Sequence, residues 1–310
     1  MVTPDHGPPQ SVLGGRLAYC EPPNLPTWED LGLGQAKSAA FEWQRQRSLA
    51  RWHEMVWLTE DAERSEWVRE IHGLFGSIGE LVLVCIEAEV EKAALSRALS
   101  EQPSNEPSDA AVRAARARAL RFFSEGQANS LVVAGHGLTN LAVRTFVLHR
   151  RLTPEAMARA IKLAPDQFRP GAFERGAWAS LNEKTVVALG CQAESIGSEP
   201  LERLAGQLES LVSDARWTAM ADLRGIQYHR WRGESPGITG VNFRSDSLRT
   251  QFERGEVISF GTEMLPAYVE GEQVLDDLAY ASRAALDALV AFMPGFQSAW
   301  GDAFSGLRGA

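Results

Sequence analysis

A histidine and several arginines that could carry out catalysis are concentrated in residues 213–240. Arg224 and His229 have four residues between them, and Arg230 and Arg232 follow directly. A neutral imidazole can take a proton from a hydroxyl near neutral pH, and a guanidinium can stabilise negative charge on phosphoryl oxygens. These residue types predict a cationic, aromatic helix end that faces a negatively charged partner.

The neighbours of Arg224 and His229 could make a focal contact with nucleic acid. Tyr228 and Trp231 can stack on unpaired bases, while Arg230 and Arg232 can contact phosphates. The alternative is that this stretch is an exposed basic helix end, favourably placed near the helix C-terminal dipole. Five positions rotate a straight helix by about 140°, so Arg224 and His229 do not share a face. Two copies around a symmetry axis would bring the arginine of one protomer to the histidine of the other.

A second polar cluster lies in an otherwise apolar stretch. His136, Asn140 and Arg144 stand at i, i+4 and i+8, so they form a polar ribbon along one side of a helix. Burying such groups costs free energy unless they are paired. We therefore expect them to be buried and connected to one another or to the predicted helix 199–231, either as a network that fixes helix register or as the lining of a pocket. Arg144 and His149 repeat the spacing of Arg224 and His229.

The R-x4-H spacing late in a helical bundle resembles the HEPN superfamily, whose Arg and His lie on a helix and commonly work across a dimer. The resemblance covers residues 107–235 approximately, with Arg224 and His229 as the better matching pair. It implies a metal-independent endoribonuclease that acts as a homodimer without a cofactor, for example a toxin or an antiviral defence effector with an antitoxin or regulatory protein as partner. In such an enzyme His229 takes the proton from a ribose 2′-hydroxyl as it attacks the adjacent phosphorus, and Arg224 stabilises charge on the phosphoryl oxygens. The alternative is a non-catalytic helical binding or assembly protein that uses the basic end of helix 199–231 for a protein or nucleotide partner.

Composition limits the other possibilities. The chain has 310 residues and a formal charge of −9, which argues against broad, non-specific binding of nucleic acid and leaves room only for a focal contact. Its three cysteines fit neither a disulfide framework nor a zinc site, so a reducing cytoplasm is expected. No uninterrupted apolar run reaches about 18 residues, so no membrane span is expected. There is no Walker A loop and no repeated Glu-x-x-His of a di-iron bundle.

Hydrophobic periodicity predicts an all-α fold, because helical spacing recurs along the chain without βαβ alternation. We expect a multi-helix bundle that forms a single helical domain over residues 37–310. An extended, Pro- and Gly-rich arm over residues 1–36 precedes it, and a less regular segment with a short strand at 257–261 precedes the last helix. The predicted helices are 37–58, 61–95, 109–123, 129–152, 153–164, 181–195, 199–231 and 271–292, the last ended by Pro294 and Gly295.

Overall fold

The computed structural model describes residues 25–57, 62–100, 107–148, 178–229 and 264–305. In these ranges the elements are all α-helices and no strand occurs, which confirms the predicted all-α fold. The helices are α1 (Gly34–Trp57), α2 (Ala62–Ser100), α3 (Pro107–Leu148), α4 (Glu183–Ile196), α5 (Glu199–Val212), α6 (Ala215–His229) and α7 (Met264–Ser305). Most of the predicted arm, the helix 153–164 and the strand 257–261 lie outside the described ranges.

The two helices predicted at 109–123 and 129–152 are one continuous helix, α3. Gly126, which lies between the two predicted helices, is exposed, and a Cβ added there would meet no atom within 4 Å. Glycine inside a helix costs about 0.5–1 kcal/mol relative to alanine. Burial of Leu120 before the glycine and of Leu131 after it offsets that cost, so the helix runs through.

The predicted helix 199–231 is wrong, because the chain turns at residues 213–214 and forms α5 and α6. Asp214 acts as the N-cap of α6: its Oδ1 accepts a hydrogen bond from the Arg216 backbone N–H at 2.8 Å. The Arg216 guanidinium also donates to both carboxylate oxygens, at 3.0 and 2.6 Å. These hydrogen bonds hold the pKa of Asp214 below its usual value of 3.8.

The last helix does not end at Pro294 as predicted, since α7 continues to Ser305. A proline inside a helix costs about 3 kcal/mol. The residues that follow it repay this cost by burial, because Phe296, Trp300 and Phe304 are at most 4% exposed and the rings of Trp300 and Phe304 stack with centroids 4.6 Å apart.

The chain forms two compact units, each assembled from three stretches of sequence. The larger unit comprises Gly32–Glu87, Gln127–Asp222 and Ala281–Ala310, and the smaller one comprises Met1–Leu31, Ala88–Gly126 and Leu223–Tyr280. The helices α2, α3, α6 and α7 each contribute residues to both units. The single domain over residues 37–310 stays a prediction.

An aromatic cluster holds α1, α2 and α7 together in the core of the larger unit. The ring centroids of Trp43 and Phe75 are 5.0 Å apart, and Phe75 meets Trp300 edge-on at 4.7 Å. Trp300 Nε1 donates a hydrogen bond to Thr145 Oγ1 at 2.9 Å, which ties α7 to α3. Aromatic contacts of this kind stabilise a core by more than their buried area alone.

In the larger unit α2 and α3 pack antiparallel. Glu70 of α2 forms an ion pair with Arg144 of α3. Later in α2, the Cys85 carbonyl accepts a hydrogen bond at 3.0 Å from Nε2 of Gln127, which lies earlier in α3. Between these points a Cβ at Gly137 would lie 2.8 Å from Ile78 Cγ1. The glycine therefore allows the close approach of the two helices.

α4 and α5 form a short helical hairpin in the larger unit, and local sequence explains its ends. Asn182 caps α4 by accepting from the Thr185 N–H at 3.0 Å, and Gly197 ends it in the left-handed conformation with φ of 68°. The inner face of α5 buries leucines at helical spacing, namely Leu201, Leu204, Leu208 and Leu211.

The smaller unit contains a buried charge pair. Lys92 Nζ lies 2.5 Å from Glu89 Oε1, and it donates a hydrogen bond to the Ala279 carbonyl of α7 at 2.9 Å.

Arg116 of α3 donates to the Ala98 carbonyl near the C-terminus of α2 at 2.6 Å. A cation in that place satisfies a carbonyl that the helix leaves without an internal partner.

Within the ranges that the structure describes, two helical segments are long and apolar enough to cross a membrane by length and composition. They are Glu66–Ala98, with a hydropathy of 1.6, and Arg118–Leu148, with a hydropathy of 1.4. Their most apolar windows are 56% and 78% buried inside the protein, as core helices of soluble proteins also are. The expected absence of a membrane span stays a prediction.

Candidate binding groove between α2 and α3

A groove with a volume of about 290 Å³ lies between α2 and α3 in the larger unit. Leu74, Ile78, Leu81 and Val133 give it mostly apolar walls. Gly73 helps to keep it open, because this exposed glycine presents no side chain and a Cβ there would meet no atom within 4 Å. The volume is near the lower end of the range for ligand pockets, about 300–1,000 Å³.

One end of the groove carries a charged pair. Arg144 Nε donates to Glu70 Oε2 at 3.0 Å, and Arg144 Nη1 donates to Asn140 Oδ1 at 2.8 Å. The Arg144 side chain is 5% exposed and that of Glu70 is 25% exposed. A buried guanidinium is tolerated only when it is paired in this way. The glutamate balances its charge, so this end of the groove is polar and carries no net charge.

Asn140 and His136 hold the segment that precedes α4. Asn140 Oδ1 accepts from the Ala179 N–H at 2.9 Å while its Nδ2 donates to the Ala179 carbonyl at 2.7 Å. His136 Nδ1 accepts from the Leu181 N–H at 2.9 Å, so that nitrogen carries no proton. These three bonds fix the backbone next to Trp178, which lines the groove and is 51% exposed.

The geometry confirms that the polar ribbon on α3 is connected by hydrogen bonds and that two of its three members are buried. Asn140 is fully buried and Arg144 is 4% exposed, while His136 is half-buried. The sequence offered two interpretations of the ribbon, a hydrogen-bonded network and the lining of a pocket. Both apply, because Arg144 is hydrogen-bonded to Asn140 and also lines the groove. The hydrogen bonds described above join it to Glu70 and to residues 179–181.

The structure describes less of the predicted ribonuclease site. Arg224 is half-buried on α6, and His229 is the last residue of the same helix. The described part of the chain includes neither the side chains of Tyr228 and His229 nor any part of residues 230–232. His149, which repeats the R-x4-H spacing with Arg144, also lies outside it. Among the described residues, no group of three or more His, Cys, Asp or Glu is placed to hold a metal ion.

Sequence reasoning did not find Glu70, Gly73 or Trp178 as site residues. A glycine inside an apolar helical pattern is a recognised sign of a packing or functional requirement, so Gly73 did carry a signal. Glu70 carried none of its own, because its partner Arg144 is 74 residues away. The importance of Trp178 depends on the hydrogen bonds from α3 to the adjacent Ala179 backbone.

A second and wider groove of about 750 Å³ lies in the larger unit between α1 and α7. Its walls are mostly small residues, such as Ser38 and Ala291. Its charged residues include Arg216 and Asp287, which form ion pairs with neighbours two and four residues away. The groove between α2 and α3 differs from it in having both a deeply buried charge and an exposed tryptophan.

No protein-family model, no curated protein and no solved structure matches this chain.

Proposed function

We propose that this chain is a non-catalytic helical binding protein that accepts apolar side chains of a protein partner in the groove between α2 and α3. The observation that carries the proposal is Trp178, which lies half-exposed at the groove beside a backbone segment held by Asn140 and His136. Tryptophan is enriched among the residues that contribute most to binding at protein interfaces. Three hydrogen bonds from α3 hold the backbone of Ala179 and Leu181, next to Trp178, before a partner arrives, which lowers the entropic cost of association.

The charges in the groove favour binding over catalysis. The cation Arg144 lines the groove, but its guanidinium already donates hydrogen bonds to Glu70 and Asn140. A catalytic cation must be directed at charge that develops on the substrate in the transition state. Arg144 is instead directed at groups of the protein itself, and its described contacts position α2, α3 and the segment that carries Trp178.

The groove can be tested by filling it without disturbing the helix. In Gly73→Leu the new side chain extends into open space, and the helix gains about 0.5–1 kcal/mol from the loss of glycine. We expect the neutral dye Nile red to bind wild type with enhanced fluorescence, and the substitution to weaken its binding by about tenfold, or about 1.4 kcal/mol. Trp178→Ala should also weaken it.

Gly206→Leu is the matched control. Gly206 is also an exposed helical glycine with no atom within 4 Å of an added Cβ, but it lies on α5 and does not line the groove. This variant should bind the dye as wild type does. Equal dye binding by wild type and Gly73→Leu would refute the proposed site.

Ribonuclease activity is the second candidate, and it is supported by the placement of its motif. Arg224 and His229 fall on one uninterrupted helix, as in the HEPN proteins that the motif resembles. The competing arginine, Arg144, is buried in the groove network. Under this proposal the chain is a cytoplasmic homodimer that cleaves RNA, and an antitoxin or regulatory protein controls it.

The test is incubation of the purified chain with mixed RNAs in EDTA. If His229 transfers the proton and Arg224 stabilises the phosphate, His229→Ala and Arg224→Ala should each slow cleavage by about 10²-fold or more. Arg230→Ala should weaken RNA binding and reduce its salt dependence, because it removes only a phosphate contact. A wild-type protein that leaves all RNAs intact, or a His229→Ala variant of full activity, would refute this candidate.

A further inference from the structure

The groove is part of a longer exposed seam along α2. Gly73, Ser77, Leu81 and Val84 follow Glu70 at intervals of three or four residues, so all five lie on one side of the helix. Gly73, Ser77 and Val84 are exposed, and Val84 is 51% exposed. The seam covers the 15 residues from 70 to 84, which is about 21 Å of helix from the first Cα to the last. A 3–4 spacing of small and apolar residues is the pattern that packs against another helix.

On α3 the exposed Val133 forms the opposite wall. Its side chain is 45% exposed, although it points into the same groove as Leu81. Solvent therefore reaches apolar residues on both helices, with Trp178 beside them. A third helix laid between α2 and α3 would cover these residues, and its largest side chain would enter the space above Gly73. This is the geometry by which grooves bind amphipathic helices.

The charges beside the seam indicate the sign of the charge that a partner should carry there. Glu80 and Glu87 are exposed and lie about 60° and 80° from the centre of the seam on the α2 surface. Glu66 lies one turn before Glu70, on the same side of α2 as the seam. Within residues 66–87 of α2, Arg69 is the one lysine or arginine. Glu70 is already balanced by Arg144. The flank is therefore acidic, as is the whole chain with its formal charge of −9.

We propose that the groove and seam bind a basic amphipathic helix of a partner protein. Apolar residues of that helix, at i, i+3 or i+4, and i+7, pack against Leu81, Val84 and Val133. Its lysines or arginines face Glu80 and Glu87. This inference rests on the proposed binding function and adds the class of partner. Complementary charge raises the association rate and excludes acidic helices that have the same apolar pattern.

Three synthetic peptides of about 18 residues, or about five turns, test the proposal. The first has leucine and lysine in an amphipathic pattern, the second replaces every lysine by glutamate, and the third scrambles the first. Binding to the full chain is measured by calorimetry near physiological salt. We expect the first peptide to bind at least tenfold more tightly than the other two. Gly73→Leu should weaken it by about tenfold, and Gly206→Leu should not change it.

The double substitution Glu80→Gln and Glu87→Gln tests the charge directly. It should weaken the leucine–lysine peptide several-fold and flatten the dependence of its affinity on salt. Equal binding of the lysine and glutamate peptides, both lost in Gly73→Leu, would overturn the basic partner but leave the binding function standing. Binding that Gly73→Leu does not affect, or equal binding of the scrambled peptide, would overturn the groove as a helix site.

Discussion

The replacement of Arg144 by alanine should destabilise the larger unit by about 3 kcal/mol. The hydrogen bonds of Arg144 include those to Glu70 at 3.0 Å and to Asn140 at 2.8 Å, and its side chain is 5% exposed. Removal of one partner of a fully buried ion pair costs about 3–5 kcal/mol. Because the Glu70 side chain is 25% exposed, water can partly solvate it after the change, which places the expected cost at the lower end.

Urea unfolding followed by circular dichroism gives the free energy of unfolding for this comparison. Arg283→Ala is the matched control, since it also removes a helical arginine that pairs with a carboxylate, Asp287. That pair is i, i+4 and its side chains are 27% and 50% exposed, so its loss should cost only about 0.3–0.5 kcal/mol. An Arg144→Ala variant no less stable than Arg283→Ala would show that the buried network does not support the fold.

Three further changes test other parts of the structure. Asn140→Ala should speed amide hydrogen exchange at Ala179, measured by mass spectrometry, because it removes the acceptor of that N–H. Gly135→Ala should lower the melting temperature, at a cost of about 1–3 kcal/mol, because its Cβ would lie 2.7 Å from the Trp217 ring. Asp214→Ala should cost about 1 kcal/mol as a lost N-cap. Because folding lowers the pKa of Asp214, the ionised carboxylate stabilises the folded state above pH 3.8, and this stabilisation is lost as the pH falls below that value. The free energy of unfolding of Asp214→Ala should therefore decrease less than that of wild type over the same acid range.

The sequence alone determined the helical class and most helix positions. Apolar residues recur at helical spacing in α1, α2 and α5, and a helix must bury such a stripe wherever it lies in the fold. The ends of α4 are equally local, because Asn182 and Gly197 make their capping contacts within a few residues. The break before α6 is also local, because Asp214 is a favourable N-cap residue and caps α6 through a backbone N–H two residues away.

The polar ribbon on α3 was also predictable, but its partners were not. The spacing of His136, Asn140 and Arg144 places them on one side of a helix, and burial then requires hydrogen bonds. Nothing local in the sequence selects Glu70 as the partner of Arg144, because that choice depends on how α2 and α3 align when they pack. The predicted role of Arg144 in a pocket therefore became specific only with the tertiary structure.

Tertiary packing also decided where helices continue and where a groove opens. Gly126 and Pro294 each disfavour a helix locally by a few kcal/mol at most, and burial of the residues around them exceeds that cost. Gly73 and Gly137 have the same local properties, yet one leaves open space while the other receives Ile78. The sequence fixes which positions lack a side chain, and only the packing of the neighbouring helix decides whether the space is filled or left as a binding groove.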